Sequence, residues 1–205
     1  MKYIVSRYNQ SIGWLQEYAE SIVLYDRSEE KAERLHPSYP STIIYNVENK
    51  GSDWYDKFTY IIDNYDNLPD VAVYTKANLF KYITEEEFDK VKDNTTFTPL
   101  LTQHHKVYEP ICRYRDGMYE EINNRYYLHP HPCKNEETEI ELMVMLGLSD
   151  KEYVQFAPGS NYIVPKENIL KHSREFYQKL RSYLEWDRYP GEAQIMERGM
   201  YYIWK

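Results

Sequence analysis

Cysteine is nearly absent: Cys112 and Cys133 are the only two in 205 residues. Two thiols cannot build a disulfide framework, so the usage points to a reducing, cytoplasmic setting. Long apolar runs are also missing. The longest, Leu142 to Leu148, has seven residues, against roughly 20 for a bilayer span, so no membrane span is expected. The opening Met1-Lys2-Tyr3-Ile4-Val5-Ser6-Arg7 meets charge before a signal-peptide apolar core forms. Glycine is scarce, at 7, and no P-loop, nucleophile elbow or dinucleotide glycine fingerprint occurs. That argues against P-loop NTPases, acyl hydrolases and typical dinucleotide enzymes. A basic excess is lacking as well. With 25 Lys and Arg against 33 Asp and Glu, the net charge of −8 disfavours a nucleic-acid-wrapping protein. Any phosphate ligand must therefore meet a local cluster of cations and amides.

What the chain does have is a globular balance, 42% hydrophobic and 28% charged, and length enough to bury roughly 70% of its unfolded surface. It also has 23 tyrosines. Tyrosine joins an apolar face to a polar tip and suits sugar and nucleobase recognition; compositional drift toward Ile, Asn, Lys and Tyr explains the same number. Strand and helix signals alternate through the first half. Tyr3-Ile4-Val5, Ile22 to Tyr25, Thr42 to Tyr45 and Val71 to Tyr74 read as strands, with helices over Ile12 to Ala19 and Ser28 to Leu35. Between Asp53 and Tyr65, Trp54, Phe58, Ile61, Ile62 and Tyr65 form the stripe of an amphipathic helix. Thr84 and Glu87 form a capping box for a helix over Glu85 to Val91. From Thr95 to Lys134 periodicity is lost and Pro99, Pro110, Pro130 and Pro132 suggest long connections. Helices follow over Glu137 to Leu146, Ser173 to Trp186 and Glu192 to Trp204, and strands Tyr153 to Phe156 and Asn161 to Val164 flank the turn Ala157-Pro158-Gly159-Ser160. One domain over 1–205 is expected, built on a mostly parallel sheet with helices on both faces.

In such sheets ligands bind outside the carboxyl ends of the strands. Those ends are Ser6-Arg7-Tyr8-Asn9, Asp26-Arg27 and Thr75-Lys76-Ala77-Asn78, several cations and a carboxylate that suit a nucleotide phosphate. Asn49-Lys50-Gly51-Ser52-Asp53 opens the amphipathic helix. Lys50 there suits phosphate and Asp53 a sugar hydroxyl, while an acidic first turn also needs no ligand. His129-Pro130-His131-Pro132-Cys133 puts three possible metal ligands on one side of an extended chain, or forms a proline-stiffened surface loop. His104-His105 carries the same ambiguity. Glu192 and Glu197 lie five apart on a helix, about 140° from each other. Either suits a general base, and either suits a solvated helix face.

Val5-Ser6-Arg7-Tyr8-Asn9 with Trp14, Gly51-Ser52-Asp53 through Tyr65-Asp66-Asn67-Leu68-Pro69-Asp70, and Phe156-Ala157-Pro158-Gly159-Ser160-Asn161-Tyr162-Ile163-Val164 fall in order, followed by Phe176-Tyr177, Glu197-Arg198 and Trp204. This succession resembles a fungal and viral domain family related to glycosyltransferases, which includes small chlorella-virus enzymes implicated in capsid glycan synthesis. The resemblance implies a GT-A-like fold with a mixed, mostly parallel central sheet of about six strands flanked by helices. It implies transfer of a glucose- or rhamnose-like sugar from a UDP-sugar to a glycan acceptor, with Mn2+ or Mg2+ as cofactor, in the host cytoplasm if virus-encoded. A monomer is assumed. Ser6, Arg7 and Tyr8 would line the uridine pocket with Asp26 at the next strand end, and Lys50, Gly51 and Asp53 would lie near the diphosphate and donor sugar.

The chain departs from this pattern where GT-A enzymes carry Asp-X-Asp. Here the place reads Lys76-Ala77-Asn78, so Lys76 itself suits the diphosphate. Asn78 and His129 remain as metal ligands, and Glu197, Glu192 and Asp53 as carboxylates for catalysis. The alternative is a catalytically degenerate nucleotide-sugar or glycan-binding domain. A sugar-phosphate nucleotidyltransferase would need a glycine-rich loop near the amino terminus, where only Gly13 occurs. On sequence alone, Asp53→Ala is expected to abolish transfer and leave the melting temperature nearly unchanged.

Overall fold

Alternation of apolar residues decides the architecture. In β1 (Lys2–Arg7), Tyr3 and Val5 face one side and Ile4 the other, and all three are buried. β2 (Ser21–Asp26), preceded by the single helical turn α1 (Leu15–Tyr18), repeats this with Ile22 and Leu24 against Val23 and Tyr25. A strand buried on both faces must be covered on both, which parallel crossovers achieve. The computed structural model describes residues 1–18, 20–29, 42–102, 107–124 and 126–205. The expected helix over Ser28 to Leu35 lies largely outside them, and so does His104-His105.

The chain continues through β3 (Thr42–Asn46), α2 (Ser52–Asp63), β4 (Val71–Lys76), α3 (Glu85–Val91) and β5 (Thr98–Pro99). Then come β6 (Cys112–Arg115), β7 (Met118–Ile122), α4 (Glu136–Met145), β8 (Tyr153–Phe156) and β9 (Tyr162–Pro165). Helices α5 (Lys166–Ile169), α6 (Arg174–Ser182) and α7 (Gly191–Trp204) close the chain. A mixed sheet of six strands runs β3-β2-β1-β4-β9-β5. Its first four strands are parallel, and β9 is antiparallel to both β4 and β5. One face packs on α2, α6 and α7 through Trp54, Phe58, Tyr177 and Trp204. The other packs on α1 and α3 through Leu15 and Phe88, with Leu79 from the turn after β4. Each such side chain contributes about 1.5–3 kcal/mol on burial.

Local signals predict several elements well. Trp54, Phe58, Ile61 and Ile62 of α2 are buried as the stripe requires, and Thr84 caps α3 by accepting from the Glu87 N–H at 3.2 Å. Two expectations change. The helix expected from Ile12 reduces to one turn, since the residues before it make tighter bonds from Leu15, Gln16 and Glu17 N–H to the Ile12, Gly13 and Trp14 carbonyls, and Trp14 donates its Nε1–H to the Ala77 carbonyl at 2.8 Å. The stretch from Thr95 to Lys134 contains β5 and the β6–β7 hairpin, turned at Asp116-Gly117 with φ of 52° and 77°. An Asp-Gly pair supplies the two left-handed residues that a tight hairpin turn demands. The strands flanking Ala157 to Ser160, as expected on either side of that turn, belong to different sheets. β8 joins β6 and β7 in a second, three-stranded sheet, and β9 joins the main one.

The chain has 23 tyrosines, and among the described residues seven are buried in the core: Tyr3, Tyr25, Tyr60, Tyr74, Tyr162, Tyr177 and Tyr201. Core packing therefore accounts for part of the tyrosine excess. Among the described residues, no helix is long and apolar enough to cross a membrane.

Candidate functional site

The chain leaves β1 for β2 and β3 on one side and returns to β4 on the other. A crevice opens at the carboxyl ends where such an order reverses, and a cavity of about 470 Å³ lies there. Its size falls within the range of small-molecule sites. Ser6 and Tyr8 reach it from the end of β1, Arg27 from β2, Lys76 and Asn78 from β4, and Ser52 and Asp53 from the start of α2. Lys81, Tyr82 and Tyr189 complete its walls. Another cavity, about 420 Å³ beside Phe97 and Pro165, lies where β9 meets Val71. That is the opposite end of β4 from the crevice.

The charged heart of the site is built by α2. Asp53 and Lys57 stand one turn apart, both buried, with Lys57 Nζ donating to Asp53 Oδ2 at 2.5 Å. Lys57 also donates to the Ser160 carbonyl. The other Asp53 oxygen, Oδ1, accepts from Ser52 Oγ at 2.9 Å and lies 3.2 Å from Lys76 Nζ. Burial opposes charge on Asp53. The two ammonium groups, with hydrogen bonds from Lys57 and Ser52, outweigh it and hold the carboxyl well below the usual carboxylate range. Burial lowers the Lys57 ammonium from its ordinary value, against the pull of Asp53. Burial also opposes charge on Lys76, but Asp53 and then Glu197 raise it above the ordinary lysine value. The Lys76 side chain is 26% exposed and that of Lys57 1%, so Lys76 is the one able to meet a ligand.

A second buried pair stands beside the first. Arg27 grips Asp56 through two bonds of 2.7 Å and donates to the Lys50 carbonyl at 2.5 Å. The charge of Arg27 is thus held in place at the cavity wall. At the mouth the Arg188 guanidinium lies 4.6 Å from the Tyr8 ring centre and 5.0 Å from that of Tyr189. With the Asn49 amide turned oxygen-first, Asn49 accepts from Arg188 at 2.6 and 2.8 Å. Aromatic faces beside cations are the chemistry that holds a nucleobase next to its phosphates.

The turn between β8 and β9 closes the far side. Ser160 N donates to the Ala157 carbonyl at 2.9 Å, with Pro158 and Gly159 at the bend and Gly159 at φ 87°. A side chain on Gly159 would strike the Tyr82 ring at 2.6 Å. Glu197 Oε1 accepts from the Gly159 N–H at 2.7 Å and from Ser160 Oγ at 3.3 Å. Ser160, buried at a left-handed φ of 62°, thus links Glu197 to Lys57. Asp53, Lys57, Lys76 and Glu197 form one connected group.

The candidate residues from the sequence divide accordingly. Ser6, Tyr8, Asp53, Lys76 and Asn78 line the cavity, and Glu197 of α7, outside that lining, is bonded to the β8–β9 turn. Arg7 turns aside to Asp26, at 2.7 Å, to Ser28, at 3.0 Å, and to the Gln10 carbonyl, at 2.8 Å. Neither Arg7 nor Asp26 is among the described lining residues. Lys50 lies 3.7 Å from Glu48 and over the Tyr55 ring, away from the cavity lining. Gly51 shapes the helix start. At φ 67° it donates its N–H to the Asp187 carbonyl, and a Cβ would meet Tyr55 at 2.7 Å and Leu184 at 2.9 Å. Glu192 is fully buried and occupied by the Lys134 N–H at 2.8 Å and Trp186 Nε1 at 3.2 Å. Sequence reasoning passed over Lys57, Asp56, Lys81, Tyr82 and Tyr189. Lys57 had a signal: it lies between Trp54 and Phe58 within the apolar stripe, one turn after Asp53, where a lysine must be buried and paired.

The donor set does not fit a divalent cation. Mg2+ and Mn2+ favour clustered carboxylate and other oxygen ligands. Asp53 is the sole carboxylate among the described lining residues, and both its oxygens are engaged by lysines or Ser52. Asn78 Oδ1 is buried with no hydrogen-bond donor, but it is a single neutral oxygen. His129 is exposed and lies outside the lining. Among the described residues no three His, Cys, Asp or Glu side chains converge as a metal site, so the His129 to Cys133 run does not gather one.

Comparison with curated proteins and with solved structures gave no match. A family described as "Protein of unknown function (DUF3431)" matches residues 4–205. That match takes in every described residue of the cavity lining, and the chain belongs to the DUF3431 family.

Proposed function

We propose that this chain is a GT-A-like glycosyltransferase that moves a glucose- or rhamnose-like sugar from a UDP-sugar to a glycan hydroxyl. The observation that carries this reading is the cavity at the carboxyl ends of β1 and β4. There Lys76, Lys81 and Arg27 meet the Tyr8, Tyr82 and Tyr189 rings around the ionised Asp53. The cations suit a diphosphate, the rings a uracil or sugar face, and Asp53 and Asn78 Oδ1 offer acceptors to hydroxyls. In the reaction the acceptor oxygen bonds to the anomeric carbon. The bond from that carbon to the β-phosphate oxygen breaks, and its electron pair leaves with UDP. The acceptor's proton passes to a carboxylate if configuration inverts, or to the departing phosphate if it is retained. Asp53, gripped by two lysines, is a weak base. Glu197, 3.7 Å from Arg198 and held by neither lysine, is the other carboxylate of the cluster and the candidate acceptor for that proton. Glu192, already holding Lys134 and Trp186, has no such role in this scheme.

Calorimetric titration with UDP, GDP and CMP, followed by a UDP-release assay on UDP-sugars with glycan acceptors, tests the proposal. Preferential binding of UDP with acceptor-dependent release supports it, and no nucleotide binding overturns it. The place of Lys76-Ala77-Asn78 favours a second reading, a nucleotide-sugar-binding domain without turnover. Tight UDP binding with no release from any donor would select that one.

A further inference from the structure

We propose that Lys76 and Lys81 neutralise the donor's diphosphate directly, so that nucleotide binding and sugar transfer by this chain need no divalent cation. The inference rests on the transferase reading for its substrate, but its physical basis is the arrangement of charges around Asp53. A cation bridging Asp53 to a diphosphate would sit between two ammonium groups that already hold both carboxylate oxygens, at 2.5 and 3.2 Å. Lys57 cannot swing away, because it is buried and fastened to the Ser160 carbonyl as well. The site therefore carries positive charge where a metal would have to bring it.

The other cations divide between fixed and available. Arg27 is committed to Asp56 and the Lys50 carbonyl, so it contributes a field and no free donor fork. Lys76 lines the cavity with its side chain 26% exposed, and its ammonium has Asp53 Oδ1 at 3.2 Å and the Tyr82 ring centre at 5.9 Å, so it keeps access to the cavity while paired. Lys81 is exposed on the same wall, with no carboxylate in ion-pair distance among the described residues. A nucleotide-sugar diphosphate carries two negative charges, and two available lysines match them. Charge-assisted bonds to phosphate are strong enough for this task.

The test is calorimetry of the full chain with inorganic pyrophosphate, UDP and uridine, in EDTA and again with manganese. Pyrophosphate and UDP are expected to bind in EDTA. Lys76→Met should weaken both by roughly 10- to 100-fold, the loss of one charged hydrogen bond, and leave uridine affinity unchanged. Lys76→Arg should retain most of the affinity, and exposed Lys81→Met gives a second variant with little risk to folding. Binding of pyrophosphate and UDP that appears only with manganese would overturn the inference, as would an unchanged affinity in Lys76→Met. If UDP binds no better than pyrophosphate in EDTA, the lysine site stands and the UDP-sugar reading falls. Failure of both ligands under every condition overturns both.

Discussion

Removing the Asp53 carboxylate should destabilise the fold as well as the site. In Asp53→Ala, Lys57 stays buried at 1% side-chain exposure and keeps only the Ser160 carbonyl as a hydrogen-bond partner. Breaking one side of a buried ion pair costs about 3–5 kcal/mol, because the remaining charge is left uncompensated. For a chain of 205 residues, with about 2–4 °C lost per kcal/mol, the melting temperature should fall by roughly 6–20 °C. The buried pair thus replaces the sequence-based expectation of an unchanged melting temperature. The deficit should also depend on pH. Burial already lowers the proton affinity of Lys57, and without Asp53 it falls further. The unfolded chain then holds that proton more tightly than the folded variant, so the variant gains stability as pH rises and the deficit narrows toward about pH 10. On the acid side the Asp53 carboxyl is depressed in the wild type. Its contribution is fully present above about pH 4 and is lost as pH falls below that, so the deficit narrows there too. Urea titrations followed by tryptophan fluorescence, with Trp54 and Trp204 buried as reporters, give the deficit at each pH. Asp53→Ala/Lys57→Met, which removes both charges, should be more stable than Asp53→Ala. A loss under about 1 kcal/mol that stays flat from about pH 5 to 9 would refute the buried-pair reasoning.

Three further substitutions separate scaffold from site. Gly51→Ala forces a side chain into a left-handed residue and against Tyr55 and Leu184, so it should cost about 2–4 kcal/mol in chemical denaturation. Glu192→Gln should lower stability by about 1–2 kcal/mol through its Lys134 and Trp186 contacts and leave UDP affinity unchanged. Glu197→Gln, which keeps an acceptor for the Gly159 N–H, should instead reduce sugar transfer more than UDP binding, as a steady-state assay would show.

Much of the framework was legible in the residues themselves. β1, β2, β3 and β4, the stripe of α2 and the cap of α3 follow from apolar spacing and from Thr84, since a period of two or 3.6 is a local property of the chain. The expectation that ligands bind at Ser6, Lys76 and their neighbours needed only the alternation of strands and helices. The Asp116-Gly117 hairpin was also written locally, but the prolines around it suggested connections instead. What the sequence by itself determined was therefore which segments are strands and helices and which face of each is apolar. Only the tertiary structure decided partners. It paired Arg7 with Asp26, Arg27 with Asp56, and Glu192 with the Lys134 loop, and it sent β8 and β9 to different sheets. It also set Lys76 and Lys57 on the two oxygens of Asp53. Burial pattern along a chain repeats within a few residues, whereas the energy of a charge depends on which distant groups share its low-dielectric surroundings.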